Sequence, residues 1–387
     1  MSKGKYLKKQ KASLGKKILR VVLVILLILV ILIGAVVAFV WSKLGLITYD
    51  DGSLKETYSA VDTAPVDTAP VDETTDATGM IDVSEPVDAT EDPAADATAA
   101  TEDQGVSMDG LTMVDAPEYS DGELFKDSSV MNILLVGTDE HTEGFVTNAR
   151  GDVNILVSID KDEKTVKLVS FSRGIAMKML DGPYKGQYEW LTNCHRWAGT
   201  EAVLQAIEES FKIECDRYVR VNFNSVAEIV DAIGGIEMEL TKTEVNFMKN
   251  MNSWRIQDNL VEGVNLLDGQ TACYYARLRG VDDDWNRMQR QRRCILAVID
   301  KLKGSDFSTL NDLCDMVLPL IQTNLTKLEI AELILYSPKF LVSEFDQMTI
   351  PLENSYGGMT VMSGSGGWAL NYEKNNAALH EFLYGAE

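Results

Sequence analysis

The sequence predicts a layered α/β domain that follows one transmembrane helix and a disordered acidic linker. Three features of the 387 residues predict this fold class. An uncharged apolar run lies near the N-terminus, a long acidic stretch follows it, and β-branched runs then alternate with helical patterns. Strands and helices mixed along one chain indicate a sheet with helices on both faces.

Residues 1–41 have the charge pattern of a membrane anchor. Residues 1–20 contain eight Lys or Arg and no acid, and residues 21–41 form an uncharged apolar run. About 20 apolar residues span a bilayer as a helix, whereas the core of a cleavable signal peptide has about 7–15. We therefore expect an uncleaved signal-anchor helix at 21–41, a cytoplasmic tail at 1–20 and an extracellular location for the rest.

The next segment is strongly acidic. Residues 50–127 hold 22 Asp or Glu against two Lys, and the repeat VDTAPVDTAP occupies residues 61–70. A stretch of low hydrophobicity and like charge cannot bury enough surface to fold. We expect a disordered extracellular linker over residues 42–127, an extended tether that holds a globular unit away from the membrane.

Residues 128–387 remain as one extracellular globular domain. Its net charge is near −12, which together with its location argues against nucleic acid as a partner. The five cysteines include no C-x-x-C pair, so we expect buried free thiols, with one disulfide as the alternative. The three histidines are isolated, which weakens a Ser-His-Asp or His-metal mechanism.

A hairpin is predicted near the start of this domain. After a buried strand at 131–140, two β-branched runs at 153–160 and 165–172 flank a short polar loop. Positions equally distant from the turn face each other in an antiparallel pair, so Asp152 and Arg173 should meet at its open end. An exposed salt bridge there would contribute only about 0–1 kcal/mol.

Further strands and helices follow along the chain. We expect strands at 216–226, 236–240 and 346–352, and helices at 200–213, 227–235, 266–279, 284–304, 307–325 and 326–336.

An arginine cluster stands out on this acidic body. Six of the thirteen arginines fall within residues 277–293, around three consecutive aspartates, Asp282–Asp284. A solvated helix face, a nucleic-acid patch and a site for a phosphorylated ligand are the three interpretations. Because the rest of the domain is acidic, the cluster is local, which favours a site.

Helical phase separates the members of this cluster. At about 100° per residue, Gln291 falls inside an apolar stripe and Arg287 on its edge, whereas Arg290 and Arg293 fall on the opposite, solvent side and Arg292 on the far border. The apolar stripe contains Met288, Ile295, Val298, Ile299 and Leu302. We expect Arg287 and Gln291 to be site residues and Arg290 and Arg293 to be solvated.

Several spaced segments resemble the LytR-CpsA-Psr family of Gram-positive cell envelope proteins. They are MNILLVGTD, RGDVNILVSIDKDEKTVKLVSFSRG, VNFNSVAEIVDAIGGIEMEL and LLDGQTACYYARLRGVDDDWNRMQRQRR. The resemblance implies a three-layer α/β/α sandwich around a mixed central sheet. It further implies a membrane-anchored phosphotransferase that moves a glycopolymer from undecaprenyl pyrophosphate onto peptidoglycan through a phosphodiester link. The polymer would be wall teichoic acid, capsule or another wall polysaccharide.

The resemblance also implies the residues of the site. Asp139, Asp152 and Asp284 match acidic positions at a Mg²⁺–pyrophosphate site. The matching substrate-binding and catalytic positions are Arg150, Arg173, Arg277, Arg279, Arg287 and Gln291. Mg²⁺ and arginines suit this chemistry because they neutralise charge on transferring and leaving oxygens.

Three positions depart from the family pattern. Gly174 stands where an aspartate is usual, Leu191 where a lysine is usual, and Gly151 where a serine is usual. The alternative function is therefore a non-catalytic envelope protein that binds a polyprenyl-linked glycan or regulates envelope assembly.

Overall fold

The computed structural model describes residues 38–50 and 111–385, apart from short gaps. The gaps are residues 118, 120–121, 141–144, 146–147, 216, 252–255, 304–306 and 341–344. In chain order the strands are β1 Thr48–Tyr49, β2 Val130–Thr138, β3 Gly151–Asp160, β4 Thr165–Phe171, β5 Ala176–Lys178, β6 Tyr188–Trp190, β7 Arg217–Asn222, β8 Ile236–Leu240, β9 Gly263–Leu267, β10 Gln322–Thr323, β11 Phe345–Ile350, β12 Tyr356–Thr360 and β13 Gly366–Leu370. The helices are α1 Leu191–Phe211, α2 Phe223–Ala232, α3 Lys242–Asn250, α4 Gly269–Ala276, α5 Asp284–Lys303, α6 Phe307–Val317, α7 Lys327–Phe340 and α8 Tyr372–Tyr384, with a short 3₁₀ helix at Leu318–Leu320.

A mixed sheet of seven described strands forms the centre of the protein. Its strand order is β1-β10-β7-β2-β3-β4-β11, and it contains both parallel and antiparallel neighbours. Three two-stranded sheets lie outside it, made by β5 with β6, β8 with β9, and β12 with β13. The mixed central sheet predicted from the sequence is therefore present.

Helices pack against both faces of this sheet because its strands carry apolar side chains on both sides. On β3, Leu156 joins the core formed with α1 and α8, whereas its neighbours Ile155 and Val157 join the core formed with α5 and α7. Successive side chains of a strand point to opposite faces. A strand that is apolar on both faces is suited to the middle of such an arrangement.

A third apolar core lies beyond α5. It gathers the inward side chains of β8 and β9 with those of α2, α3 and α4, and Ala297 and Val298 of α5 pack against it. Ile295 and Leu296 of the same helix pack toward the central sheet. Helix α5 is thus covered on two sides, which a single apolar stripe in the sequence does not predict.

One predicted helix was placed too early. Residues 263–267 form β9, which pairs with β8, and helix α4 begins only at Gly269. The boundary has a local cause, because the Asp268 side chain accepts a hydrogen bond from the backbone N–H of Thr271 and so caps the helix.

The linker expected over residues 42–127 is described only at its two ends, and both ends pack on the domain. Leu44 and Ile47 are buried, and β1 extends the central sheet beside β10. At the other end, Met113 forms a bridge with Gly358. These described ends are therefore part of the folded body rather than a disordered linker.

The predicted tail and most of the predicted membrane span fall on residues 1–37, outside the described part of the chain. Residues 38–43 are helical. Among the helices that the structure does describe, none combines the length and the hydropathy needed to cross a bilayer.

The five cysteines, Cys194, Cys215, Cys273, Cys294 and Cys314, are free thiols. The expectation of free thiols is confirmed, and the alternative of one disulfide is not seen.

Candidate functional site

The open end of the β3–β4 hairpin brings Asp152 and Arg173 together. The two strands pair from Asp160 opposite Thr165 to Ile155 opposite Ser170. Extending this register places Asp152 opposite Arg173, and Arg173 Nη1 lies 3.4 Å from Asp152 Oδ1. The prediction from the turn position is confirmed.

A second carboxylate approaches Arg173 from α5. Arg173 Nε lies 3.9 Å from Oδ1 of Asp284, the first residue of that helix. Asp284 also accepts hydrogen bonds from Arg287 Nη1 at 3.1 Å and from Ser172 Oγ at 3.0 Å. Arg173 thus lies between two carboxylates that come from different elements.

Two further arginines complete this cluster around Asp152. Arg279 Nη2 lies 3.8 Å from Asp152 Oδ2, and Arg287 Nη2 donates to the Asp152 backbone carbonyl at 3.2 Å. We call Asp152, Arg173, Arg279, Asp284 and Arg287 the Arg173 site. Asp152 and Arg287 are buried, while Arg279 keeps about a third of its side chain exposed. The site is therefore held by the core and open on the Arg279 side.

Electrostatics keep both carboxylates of the Arg173 site ionised. Burial alone raises the pKa of Asp152, but the charges of Arg173 and Arg287 outweigh it and hold the pKa well below its usual range. Burial also raises the pKa of Asp284, and Arg287 and Arg173 again bring it below the usual value. Two anions among three guanidinium groups leave a net positive site, which suits a multiply charged anionic ligand.

Arg277 lies at the rim of this cluster, at the C-terminal end of α4. Its guanidinium stacks on the Phe223 ring, with Cζ 4.0 Å from the ring centroid. Burial lowers the pKa of Arg277, and the Asp152 carboxylate opposes that shift. Stacking fixes the plane of the guanidinium, which prepares it to bind a phosphate in one orientation.

Asp139 and Arg150 form a separate pair. Asp139 Oδ2 lies 2.9 Å from Arg150 Nε, and Asp139 Oδ1 accepts the backbone N–H of Arg150 at 2.7 Å. Within the described residues, no three acidic, histidine or cysteine side chains are close enough to hold a metal ion together. The three aspartates expected at Mg²⁺ are therefore not one ligand set, because Asp139 is turned toward Arg150.

Asp152 and Asp284 still fit a Mg²⁺ ion of the kind that binds together with a substrate. Both are ionised, and Arg173 contacts both. Mg²⁺ typically takes one or two carboxylates and fills its remaining positions with water and substrate phosphate oxygens. The donor set fits a phosphate-dependent Mg²⁺ site and not a closed protein cage.

Gln291 lies one turn beyond Arg287 and is buried, as predicted from the helical phase. Its Nε2 amide and the Nε of Arg287 are buried without a hydrogen-bond partner among the described residues. An unsatisfied buried donor costs about 1–3 kcal/mol. Both donors remain available for a hydrogen bond to water or to a bound ligand.

The prediction that Arg290 is solvated is wrong. Arg290 is only 3% exposed, and its Nη2 lies 2.6 Å from Asp282 Oδ1. Its Nη1 is 3.5 Å from Glu244 of α3. The third core covers this side of α5 and provides the partners. Arg292 is also buried, against Ser170 and Thr349 of the central sheet.

Arg293 is also held by neighbours in the third core. It donates to the Tyr275 hydroxyl at 2.5 Å and to the Glu239 carbonyl at 2.5 Å, and its guanidinium lies over the Tyr275 ring. It is only partly accessible to solvent. The expectation of a fully solvated Arg293 is therefore also incorrect.

Two hydroxyl groups that hold the carboxylates were not among the residues predicted from the sequence. Thr192 Oγ1, in the first turn of α1, donates to Asp152 Oδ1 at 3.2 Å, and Ser172 binds Asp284. Ser172 directly precedes Arg173, so its position near the site could have been predicted from the hairpin. Thr192 was not, because only the packing of α1 on the sheet brings it to Asp152.

A buried histidine near Arg150 was also not predicted from the sequence to have a structural role. His195 Nδ1 lies 2.7 Å from the Ala149 carbonyl, which can only accept, so this nitrogen carries the proton. Nε2 then accepts from Thr200 Oγ1 at 3.0 Å, just past the bend of α1 at Gly199. A side chain at Gly151 would place its Cβ 3.2 Å from His195 Cβ. Gly151 therefore makes room for a histidine that holds the backbone beside Arg150.

The other two departures from the family pattern have structural roles. Leu191 is fully buried in the core beneath α1, and the Gly174 carbonyl accepts the backbone N–H of Trp368. Neither position adds charge to the Arg173 site.

Comparison with known sequences identifies the family. The sequence profile of the LytR_cpsA_psr family matches residues 89–378. The polyisoprenyl-teichoic acid–peptidoglycan teichoic acid transferase TagT of Bacillus subtilis is 31% identical over 205 residues, which are 52% of this chain and 61% of the relative. The alignment thus spans less than two thirds of the relative's length.

Solved structures share the fold. One described as "TagT bound to LIIa-WTA" has a TM-score of 0.52 and 24% identity, covering 69% of this chain and 96% of that chain. Another, described as "LytR-CPS2A-psr family protein YwtF (TagT) with bound octaprenyl pyrophosphate lipid", has a TM-score of 0.50 and 22% identity, covering 69% and 99%. At these identities the likeness establishes the fold alone.

Proposed function

The chain belongs to the LytR_cpsA_psr family, and on that premise we propose that it is a glycopolymer phosphotransferase of the cell envelope. Its donor is a glycopolymer on a polyprenyl pyrophosphate, and its acceptor is peptidoglycan. The product is a phosphodiester between the two. A relative named as a teichoic acid transferase and a fold neighbour with bound octaprenyl pyrophosphate support this donor class.

The observation that carries the proposal is the position of Arg173 between Asp152 and Asp284, with Arg279 and Arg287 beside it. A pyrophosphate needs positive charge spread over both of its phosphates. Guanidinium groups supply it with planar pairs of donors that match phosphate oxygens. The Nε2 amide of Gln291, which has no described partner, is proposed as an additional donor to this ligand.

The reaction makes one bond to phosphorus and breaks another. The acceptor hydroxyl oxygen bonds to the phosphorus that carries the polymer, and the hydroxyl releases its proton. The bond from this phosphorus to the bridging oxygen breaks, and prenyl phosphate leaves with the electron pair. Arg173 and Arg287 bind the oxygens on which negative charge accumulates, so they stabilise the transition state more than the substrate.

Mg²⁺ is the proposed cofactor, held by Asp152 and Asp284 with phosphate oxygens of the donor. When bound, it adds positive charge at the phosphates. Asp139 keeps Arg150 in place at the edge of the site. Because each Mg²⁺ carboxylate already faces an arginine, we expect metal and donor to bind together. Mg²⁺ plus prenyl pyrophosphate should raise the Tm more than the sum of the two separate effects.

We also propose the cellular arrangement predicted from the sequence. Residues 1–20 are cytoplasmic, residues 21–41 cross the membrane once, and the folded domain lies outside a Gram-positive cell membrane. Protease added to intact protoplasts should reach the domain. Protection of the domain in that assay would contradict this arrangement and the envelope substrates.

The alternative is a non-catalytic protein that binds the same lipid-linked glycan. The full chain in nanodiscs, with a prenyl-pyrophosphate-linked glycan, Mg²⁺ and peptidoglycan fragments, separates the two functions. An enzyme releases prenyl phosphate and attaches glycan to the acceptor. Tight retention of the donor with no release over many hours would support the binding protein instead.

A further inference from the structure

The described chain packs against the domain from Leu44 onward and joins the central sheet at Thr48. Leu44 and Ile47 are buried, β1 pairs with β10, and the backbone N–H of Asp50 donates to the Thr323 carbonyl at 2.9 Å. The Asp50 carboxylate also accepts a hydrogen bond from the Tyr218 hydroxyl. The segment that follows the apolar run is thus built into the edge of the sheet.

This placement limits the distance between the apolar run and the sheet. Six residues, 42–47, separate the end of the run at Trp41 from the first residue of β1. Trp41 and Thr48 are seven residue steps apart, and an extended chain covers at most about 3.3–3.6 Å per step, so the gap is at most about 25 Å. Residues 51–110 are not in this gap, since the chain is attached to the domain at Asp50 before them and at Thr112 after them. The acidic segment therefore does not separate the run from the domain.

Exposed apolar side chains surround the point of attachment. We call them the Trp41 patch, and they are Phe39, Trp41, Leu46, Met316 and Leu328, between 38% and 71% exposed. Two contacts join the three segments that carry them. Lys327 Nζ lies 5.6 Å from the Trp41 ring centroid, next to Leu328 in the chain. Lys43 Nζ lies 2.6 Å from Asp315, next to Met316.

The composition of this patch fits the boundary between lipid tails and headgroups. Tryptophan and lysine are enriched there, because the ring or stem is apolar and the polar end reaches water or anionic lipid. The Trp41 patch has this mixture in Trp41 and Lys327, while Lys43 is paired with Asp315 at its edge. Exposed apolar patches on soluble faces are otherwise rare and mark interaction sites.

We propose that the Trp41 patch rests on the outer surface of the lipid bilayer. The inference rests on the proposed membrane span at residues 21–41 and goes beyond it. The span fixes where the chain leaves the bilayer, and the patch fixes which face of the domain lies against it. The bilayer is favoured over a protein partner because two members of the patch, Phe39 and Trp41, are among the last residues of the apolar run itself, and Leu46, Met316 and Leu328 lie on the domain beside its end.

Site-specific photocrosslinking tests this contact in the full chain reconstituted in phosphatidylglycerol-containing nanodiscs. The probe, p-benzoyl-phenylalanine, replaces Met316 or Leu328 in separate variants. Met113 is the matched control, since it is a methionine of nearly the same exposure, 56% against 55%. Met113 pairs with Gly358 of β12, and β12 pairs with β13. Trp368 of β13 in turn forms a bridge with Ile175, which follows β4 closely in the chain. Met113 therefore lies toward the opposite edge of the sheet, and seven strands about 4.8 Å apart separate the edges by roughly 29 Å.

The expected result is lipid adducts at positions 316 and 328, at least tenfold more abundant than at position 113. Carbonate extraction of the same preparation reports the span separately. Lack of adducts at 316 and 328 in protein that resists extraction would overturn the patch and leave the span intact. Equal adducts at 113, or crosslinks between two copies of the chain in place of lipid, would also overturn it. Extraction by carbonate would overturn both the span and the patch.

Discussion

Arg173 and Asp152 face each other across the open end of the β3–β4 hairpin, with Arg173 Nη1 3.4 Å from Asp152 Oδ1. The contact is longer than a good charged hydrogen bond, and Arg173 also approaches Asp284 at 3.9 Å. A guanidinium shared loosely between two carboxylates can turn toward a phosphate without leaving either anion buried and alone. The pair is therefore arranged to receive a ligand as well as to join two strands.

We expect Asp152→Asn to reduce Mg²⁺-dependent transfer at least tenfold while the domain stays folded. The amide keeps the shape but removes the charge that would hold the metal, and tenfold corresponds to about 1.4 kcal/mol of barrier. The measurement is release of prenyl phosphate, with circular dichroism as the folding check. Asp346→Asn, at an exposed position of β11, is the control and should match wild type. Normal turnover and normal metal dependence in Asp152→Asn would refute this role.

Arg173→Lys should also lose most of the activity. The lysine keeps the positive charge but offers a single point in place of a planar fork, so it cannot serve two carboxylates and a phosphate together. Transfer rates at saturating donor test this, with Arg293→Lys, remote in the third core, as the control. If Arg173→Lys retains more than half of the wild-type rate, charge alone is sufficient and the fork has no role.

Gln291→Leu should separate function from stability. The leucine keeps the volume and removes a buried amide whose Nε2 has no described partner. We expect the free energy of unfolding to stay the same or rise by about 1 kcal/mol. Turnover should fall at least tenfold because the donor to the ligand is lost. Urea unfolding and transfer assays on the same preparation measure both. A loss of stability with full activity would mean that Gln291 is only a packing residue.

Arg290→Ala should have the opposite profile. The substitution leaves the buried Glu244 and the partly exposed Asp282 without their cation, and breaking a fully buried pair costs at most about 3–5 kcal/mol. We expect a clear drop in Tm and near-normal turnover per folded molecule at low temperature. Arg292→Met, which keeps an apolar stem, provides a comparison on the sheet side. Unchanged stability in Arg290→Ala would show that the pair contributes nothing.

His195 should make the protein sensitive to acid. Burial, with Arg220 nearby, lowers the pKa of His195 to about 3, whereas an unfolded histidine titrates near 6.5. Between these values the unfolded chain binds a proton that the folded state does not, so stability falls as the pH falls. The contribution is up to about 1.4 kcal/mol per pH unit.

The test is the slope of unfolding free energy against pH from 6 to 4. His195→Gln should flatten it, because the titrating group is gone. Ile207→Val, at a fully buried position of the core under α1, costs about 0.5–1.5 kcal/mol without changing titration. It should keep the wild-type slope. An equally steep slope in His195→Gln would assign the acid sensitivity to other groups.

The position of a side chain was predictable from the sequence where the repeat of its strand or helix alone determines which way it faces. The side-chain period of two and a short polar loop place Asp152 opposite Arg173 without further information. The helical period likewise places Gln291 inward. The prediction that Arg290 is solvated was wrong because an apolar stripe indicates only one neighbour of a helix, whereas α5 packs against two. The contacts of Thr192 and His195 could not be predicted, because they depend on how α1 packs over the sheet and no local sequence pattern gives that packing.

Helix α5 supports the central sheet with Ile295 and Leu296 and the third core with Ala297 and Val298. The distance between Asp284 and the β3–β4 hairpin therefore depends on the packing of α5 in both of these cores. A methylene gained or lost in either layer tilts the helix and changes that separation without altering any group that contacts substrate. If the protein catalyses the proposed transfer, substitutions in either apolar core would therefore change the rate even when every charged residue of the site is kept.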